Sequence, residues 1–125
     1  MKRTLYVGVL LAVVTMAGCT QTRYRVFAYN GTAVKVSETQ VTLANGECLR
    51  FGTMDPMVDK GIWPVTGPVE AEATVEWVDA NETKKSAKAC VRVGWRDDSV
   101  IFVITSNETV TVQIGRGLYG FQETK

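Results

Sequence analysis

"VEAEATVEWV", residues 69–78, decides the fold class. Its side chains alternate without a break: Ala71, Ala73, Val75 and Trp77 fall on one face, Glu70, Glu72, Thr74 and Glu76 on the other. A period of two is the repeat of a half-buried strand, whereas a helix returns apolar residues every three or four positions. "KKSAKACVRV", residues 84–93, answers it, with Ala87, Ala89, Val91 and Val93 opposite Ser86, Lys88, Cys90 and Arg92. With Asn81 in the turn between them, the two runs form a hairpin. Keeping both apolar faces on one side restricts the register to alternate pairings. One of these sets Glu76 opposite Lys88, Glu72 opposite Arg92 and Thr74 opposite Cys90, so opposite charges meet on a solvated sheet face.

The same period extends in both directions. "YRVFAYN" and "TAVKVSE" flank Asn30-Gly31, a dipeptide suited to a tight hairpin because both positions accept positive φ. "TQVTL" and "ECLRF" flank Ala44-Asn45-Gly46, and "SVIFVIT" leads through Ser106-Asn107-Glu108 to "TVTVQIG". "SVIFVIT" is apolar on both faces and reads as a central strand. About eight short strands with polar turns imply an all-β fold. The expected form is a small antiparallel β-sandwich, with an immunoglobulin-like arrangement as one version and a small barrel as the alternative.

Composition excludes several functions. The 125 residues carry 14 Lys+Arg against 13 Asp+Glu, with no clustered positive charge of the kind nucleic acid requires. Histidine is absent, so this chain alone cannot build a Ser-His or Cys-His hydrolase.

The N-terminus has its own logic. Lys2 and Arg3 precede a mostly apolar run, Thr4 to Ala17, which as a helix would be about 21 Å long and too short to span a bilayer. A basic start, a short apolar middle and small residues at the end make a secretory signal peptide; a buried N-terminal helix is the alternative. Met16-Ala17-Gly18-Cys19 resembles the lipobox of bacterial lipoproteins, with Met16 where leucine is usual. The resemblance implies a signal peptide over residues 1–18, a diacylglyceryl group on the Cys19 thiol and acylation of its new amine. Ordinary cleavage near Ala17 would instead leave Cys19 as a free thiol. Thr20, rather than aspartate, after the cysteine is similar to the state sorted to the outer membrane, with the periplasmic face expected over the cell surface. Residues 19–23 then form the anchor and tether, and residues 24–125 the sandwich. Four tether residues reach at most ~14 Å, which keeps the domain and its partner close to the membrane.

In an exported chain, Cys48 and Cys90 suggest one disulfide, since both sit on the polar side of their strands. Such a bond would contribute about 4 kcal/mol in the chain-entropy model. Two free thiols are the alternative. Residues 52–68, "GTMDPMVDKGIWPVTGP", read as the longest loop and the candidate partner-binding segment through Met54, Asp55, Met57, Asp59, Lys60 and Trp63. The competing reading is a crossover whose Ile62 and Trp63 plug the core. Asp55 and Asp59 are too few oxygen donors for calcium, so neither metal nor cofactor is expected.

Asp97 and Asp98 lie in a turn, where adjacent carboxylates seldom converge on one substrate atom. A glycan-directed enzyme is therefore the least favoured reading. The expected function is a non-enzymatic, lipid-anchored envelope protein that binds a membrane-proximal protein, such as an assembly or outer-membrane component. An immunity or exclusion lipoprotein that blocks a toxin, phage or secreted enzyme is the alternative.

Overall fold

The computed structural model describes residues 23–66 and 68–118. Cys19, the leader, and Tyr119 and Phe121 of the C-terminal tail lie outside them. The described chain forms eight strands: β1 (Tyr24–Asn30), β2 (Val36–Thr42), β3 (Cys48–Met54), β4 (Asp59–Val65), β5 (Ala71–Val78), β6 (Lys84–Val91), β7 (Ser99–Ile104) and β8 (Val110–Gly115). They make two four-stranded sheets, β4-β1-β7-β8 and β3-β2-β5-β6, packed face to face as a small β-sandwich. All pairings are antiparallel except β1 with β7, which run parallel. The strand order is not the immunoglobulin one, in which the first, second, fifth and fourth strands share a sheet.

The count of eight agrees with the sequence, but its members differ. The runs "TAVKVSE" and "TQVTL" merge into one strand, β2, kinked where Glu38 takes a φ of 50°. The missing member comes from residues 52–68, most of which are not loop. Residues 52–54 end β3, and Asp59–Val65 form β4 on the edge of the first sheet. Pro64 is compatible with this strand because an edge strand needs no outward donor.

Alternation places the core as expected along β5 and β6. Ala73, Val75, Trp77, Ala89 and Val91 are buried between the sheets, and Glu72, Glu76, Lys88 and Cys90 face solvent. The expected pairing shifts by two residues: Thr74 lies opposite Lys88, Glu72 opposite Cys90 and Glu76 opposite Ser86. Lys88 consequently meets Glu72 on the diagonal, 3.5 Å away, in an exposed ion pair. The turn dictates this. Asp79 N donates to Thr83 O (3.0 Å), Glu82 N donates to Asp79 O (3.1 Å), and Glu82 adopts the left-handed φ of 60°. Asp79 Oδ1 also accepts from Asn81 N and Thr83 N, which pins the turn start at residue 79.

Strand β7 is buried along its whole length, as its sequence anticipates. Val100, Phe102 and Ile104 face the inter-sheet core; Ile101 and Val103 join Tyr29 in a second cluster on the outer side. Phe27 and Leu118 pack over that cluster. The segment carrying Leu118 is held there by Asp98 Oδ1, which accepts from Gly117 N at 2.8 Å, and by Ser99 Oγ, which accepts from Leu118 N at 3.2 Å.

Asn30-Gly31 is not a hairpin turn, because β1 and β2 belong to different sheets. Asn30 is instead a buried corner. Its Nδ2 donates to the carbonyls of Val34 (2.8 Å) and Met54 (3.1 Å), and its Oδ1 accepts from Thr32 N and Thr32 Oγ1. Gly31 follows because a Cβ there would lie 2.7 Å from Ile104 O, to which its own N–H donates.

Candidate functional site

The parallel pairing of β1 with β7 gives the sandwich two chemically distinct ends. The upper end, where these strands finish, gathers residues 31–35, 55–58, 79–83 and 105–109. The lower end, where they begin, gathers Arg23 and residues 43–47, 66, 68–70, 92–98 and 116–118. Among the described residues the exposed large hydrophobics are Val34, Met57, Val58, Trp63 and Trp95. The first three lie at the upper end and the two tryptophans toward the lower.

At the upper end, the Asn30 amide ties the loop of residues 31–35 to the end of β3. Met57 N donates to Asn30 O (2.8 Å), and Asn30 N donates to Val58 O (3.1 Å). The Tyr29 hydroxyl donates to the Met57 sulfur at 3.2 Å, leaving that side chain seated yet 60% exposed. Lys35 reaches Asp55 at 3.6 Å, a solvent-exposed pair that adds little stability.

Beside these loops, Trp77 and Lys85 separate two clefts of about 370 Å³ each. One opens among Val34, Val36, Asp79 and Thr105, the other among Thr39, Gln40, Arg50 and Glu76. Lys85 bonds Glu108 at 2.9 Å and approaches Asp79 at 3.9 Å. The Glu108 bond, together with both carboxylates' charge, raises its pKa above the ordinary lysine value. Thr39 Oγ1 is buried without a partner where β2 bulges against Gly52. The clefts escaped the sequence reading because their walls come from strands far apart in the chain.

The candidate residues of 52–68 separate. Asp55, Met57 and Asp59 remain at the upper end. Met54 is fully buried in the core, so it offers nothing to a partner. Lys60 Nζ donates to the carbonyls of Phe51 (3.3 Å) and Thr53 (2.6 Å), clasping edge strand β4 to edge strand β3 of the other sheet. Trp63 lies four residues into β4 from Asp59, about 13 Å further toward the lower end. It is 53% exposed, and Arg25 sits over its ring at 5.1 Å.

Cys48 and Cys90 are free and exposed. Both face outward on one sheet, as alternation requires, but β3 and β6 are its opposite edges. Three strand spacings separate them, about 14 Å, twice the Cα separation a disulfide can span. The expected bond is therefore overturned by strand order.

At the lower end, Asp97 Oδ2 accepts from Gly94 N (2.6 Å) and closes its own turn, while Asp98 Oδ1 accepts from Gly117 N and Ser99 Oγ. The Gly117 amide, helped by Ser99, Arg25 and Arg116, holds the Asp98 carboxyl below the usual carboxylate range against its partial burial. The two aspartates thus serve different backbone amides. Among the described residues, no group of three or more Cys, Asp or Glu is placed to hold a metal ion.

No protein-family model and no curated protein matches the chain. A solved structure to which it is similar is the NMR structure of a protein from Eubacterium rectale. That likeness has a TM-score of 0.52 and 18% identity, and it covers 78% of this chain and 93% of that one. At that identity the likeness is one of fold alone, and what it identifies is the eight-stranded sandwich.

Proposed function

We propose that this protein is a lipid-anchored component of the bacterial cell envelope, without a catalytic role, that holds a protein partner through the upper end of its sandwich. The anchor is Cys19, and the expected site is the periplasmic face of the outer membrane. The observation that carries the reading is the apolar surface of Val34, Met57 and Val58 at the end farthest from Arg23, where the tether enters β1. Exposed aliphatic and thioether side chains on a hydrogen-bonded frame suit a protein interface, because little ordering entropy remains to be lost on binding. The Asn30 network supplies that frame. Asp55, Lys35 and the two clefts around Trp77 provide a polar rim.

In-cell photocrosslinking from positions 34, 57 and 58 tests it, with exposed Lys88, midway along β6, as the control position. A discrete partner captured from the upper end and absent from the control is expected. An identical background from all four positions overturns the reading. The anchor has its own measurement: the mature protein must begin at Cys19 and carry the added mass of its acyl groups.

A further inference from the structure

We infer that the lower end of the sandwich is a bilayer-contact surface, which seats Trp63 and Trp95 in the headgroup layer with arginine guanidinium groups against lipid phosphate. This deepens the proposed function and rests on the Cys19 anchor.

Trp95 is 86% exposed, and no folding role accounts for so large an apolar area in water. Trp63 is the other exposed tryptophan, while Trp77 is buried. Each exposed ring carries an arginine over its face, Arg96 on Trp95 at 4.4 Å and Arg25 on Trp63 at 5.1 Å. The same pairing occurs twice at one end, from elements distant in sequence.

Charge is sorted in the same direction. Arg23, Arg25, Arg92, Arg96 and Arg116 belong to the lower end, with Arg50 and Lys88 further up on β3 and β6, whereas Lys35, Lys60, Lys84 and Lys85 belong to the upper half. Five acidic residues share the lower end. Asp97 turns toward a backbone amide, and Asp98 accepts from Gly117 N with Arg25 and Arg116 near its carboxylate. Glu70 accepts from Val93 N at 3.2 Å, Glu72 pairs with Lys88 at 3.5 Å, and Glu47 is exposed in its hairpin turn. Arg23, Arg92 and Arg96 are exposed at this end, and guanidinium groups match phosphate by planar, bidentate hydrogen bonding. Indole rings favour the same layer, where an apolar body and a polar N–H are both satisfied.

The tether selects the occupant. Arg23 enters β1 at this end, four residues after Cys19, so the lower end lies within ~14 Å of the acyl chains. A second protein would have to fit between that surface and the bilayer; headgroups are already there.

The test uses the full-length processed protein, reconstituted into vesicles of phosphatidylethanolamine and phosphatidylglycerol, with and without brominated acyl chains. The chain has three tryptophans, so indole emission reports on Trp63, Trp77 and Trp95. Bromolipid is expected to quench the wild type. The W63F/W95F double variant, which retains only buried Trp77, should lose the quenchable fraction. Far-UV circular dichroism checks that both exposed-site changes leave the sandwich intact, and each single variant reports the remaining exposed ring separately. Protein that floats with the vesicles but shows no bromolipid quenching overturns the contact and leaves the anchor standing. Protein that stays soluble and carries no acyl mass overturns both.

Discussion

At the scale of single residues, Asn30 is the side chain on which most depends. Its amide satisfies the buried carbonyl of Met54 and reaches that of Val34, which also accepts from Thr32 Oγ1, so Asn30→Ala strands one buried acceptor and removes the cap on Thr32. A loss of about 1–3 kcal/mol is expected, read as a lower urea midpoint, because a buried unpaired polar group retains its full desolvation cost. Asp98 makes a second prediction, this time in pH. Its folded-state pKa lies below the ordinary value, so its ionised form stabilises the fold above about pH 4, and that contribution disappears as pH falls through the folded-state value. Asp98→Asn should therefore lower the melting temperature at pH 7, and the gap to wild type should close in acid. A constant gap across that range would mean that the carboxylate charge contributes nothing.

Among elements, three hairpins share one turn. Residues 43–47, 79–83 and 105–109 each close with the first N–H donating to the fifth carbonyl, and each puts its fourth residue, Gly46, Glu82 or Glu108, at positive φ. Glycine occupies that position without penalty, whereas a side chain there costs roughly 1 kcal/mol. Glu82→Gly should therefore stabilise the protein by up to about 1 kcal/mol, less the extra freedom gained by the unfolded chain. Glu108→Gly should gain less, since it also removes the 2.9 Å bond to Lys85. Comparing the urea midpoints of the two variants checks the order. These turns also explain which part of the strand register could be read. Parity of apolar faces restricts β5 against β6 to alternate pairings, and the sequence was right on that; choosing among them required the five-residue turn, whose length depends on Asp79 capping and on left-handed Glu82. Likewise Asn30-Gly31 carries the composition of a hairpin turn, but local preference yielded to the burial of its amide.

For the whole molecule, strand order decides what the cysteines can do. Cys48 and Cys90 are at opposite edges of one sheet, so folded protein without reductant should take up two alkyl groups, and reduction should leave the count unchanged. Uptake of none before reduction and two after it would contradict the strand order itself. The parallel contact of β1 with β7 is equally global: it directs four loops to the end remote from Arg23 and sends both exposed tryptophans the other way. By itself the sequence determined the all-β class, the inward faces of β5 and β6 and the doubly buried β7, because alternation records burial residue by residue. Only the tertiary structure decided which strands are neighbours, which turned a candidate binding loop into edge strand β4, separated Met54 from Met57 and kept two cysteines apart. The reason is physical: a side chain's hydrophobicity encodes whether it is buried, whereas the partner across the sheet is chosen by turn lengths and by the packing of distant elements.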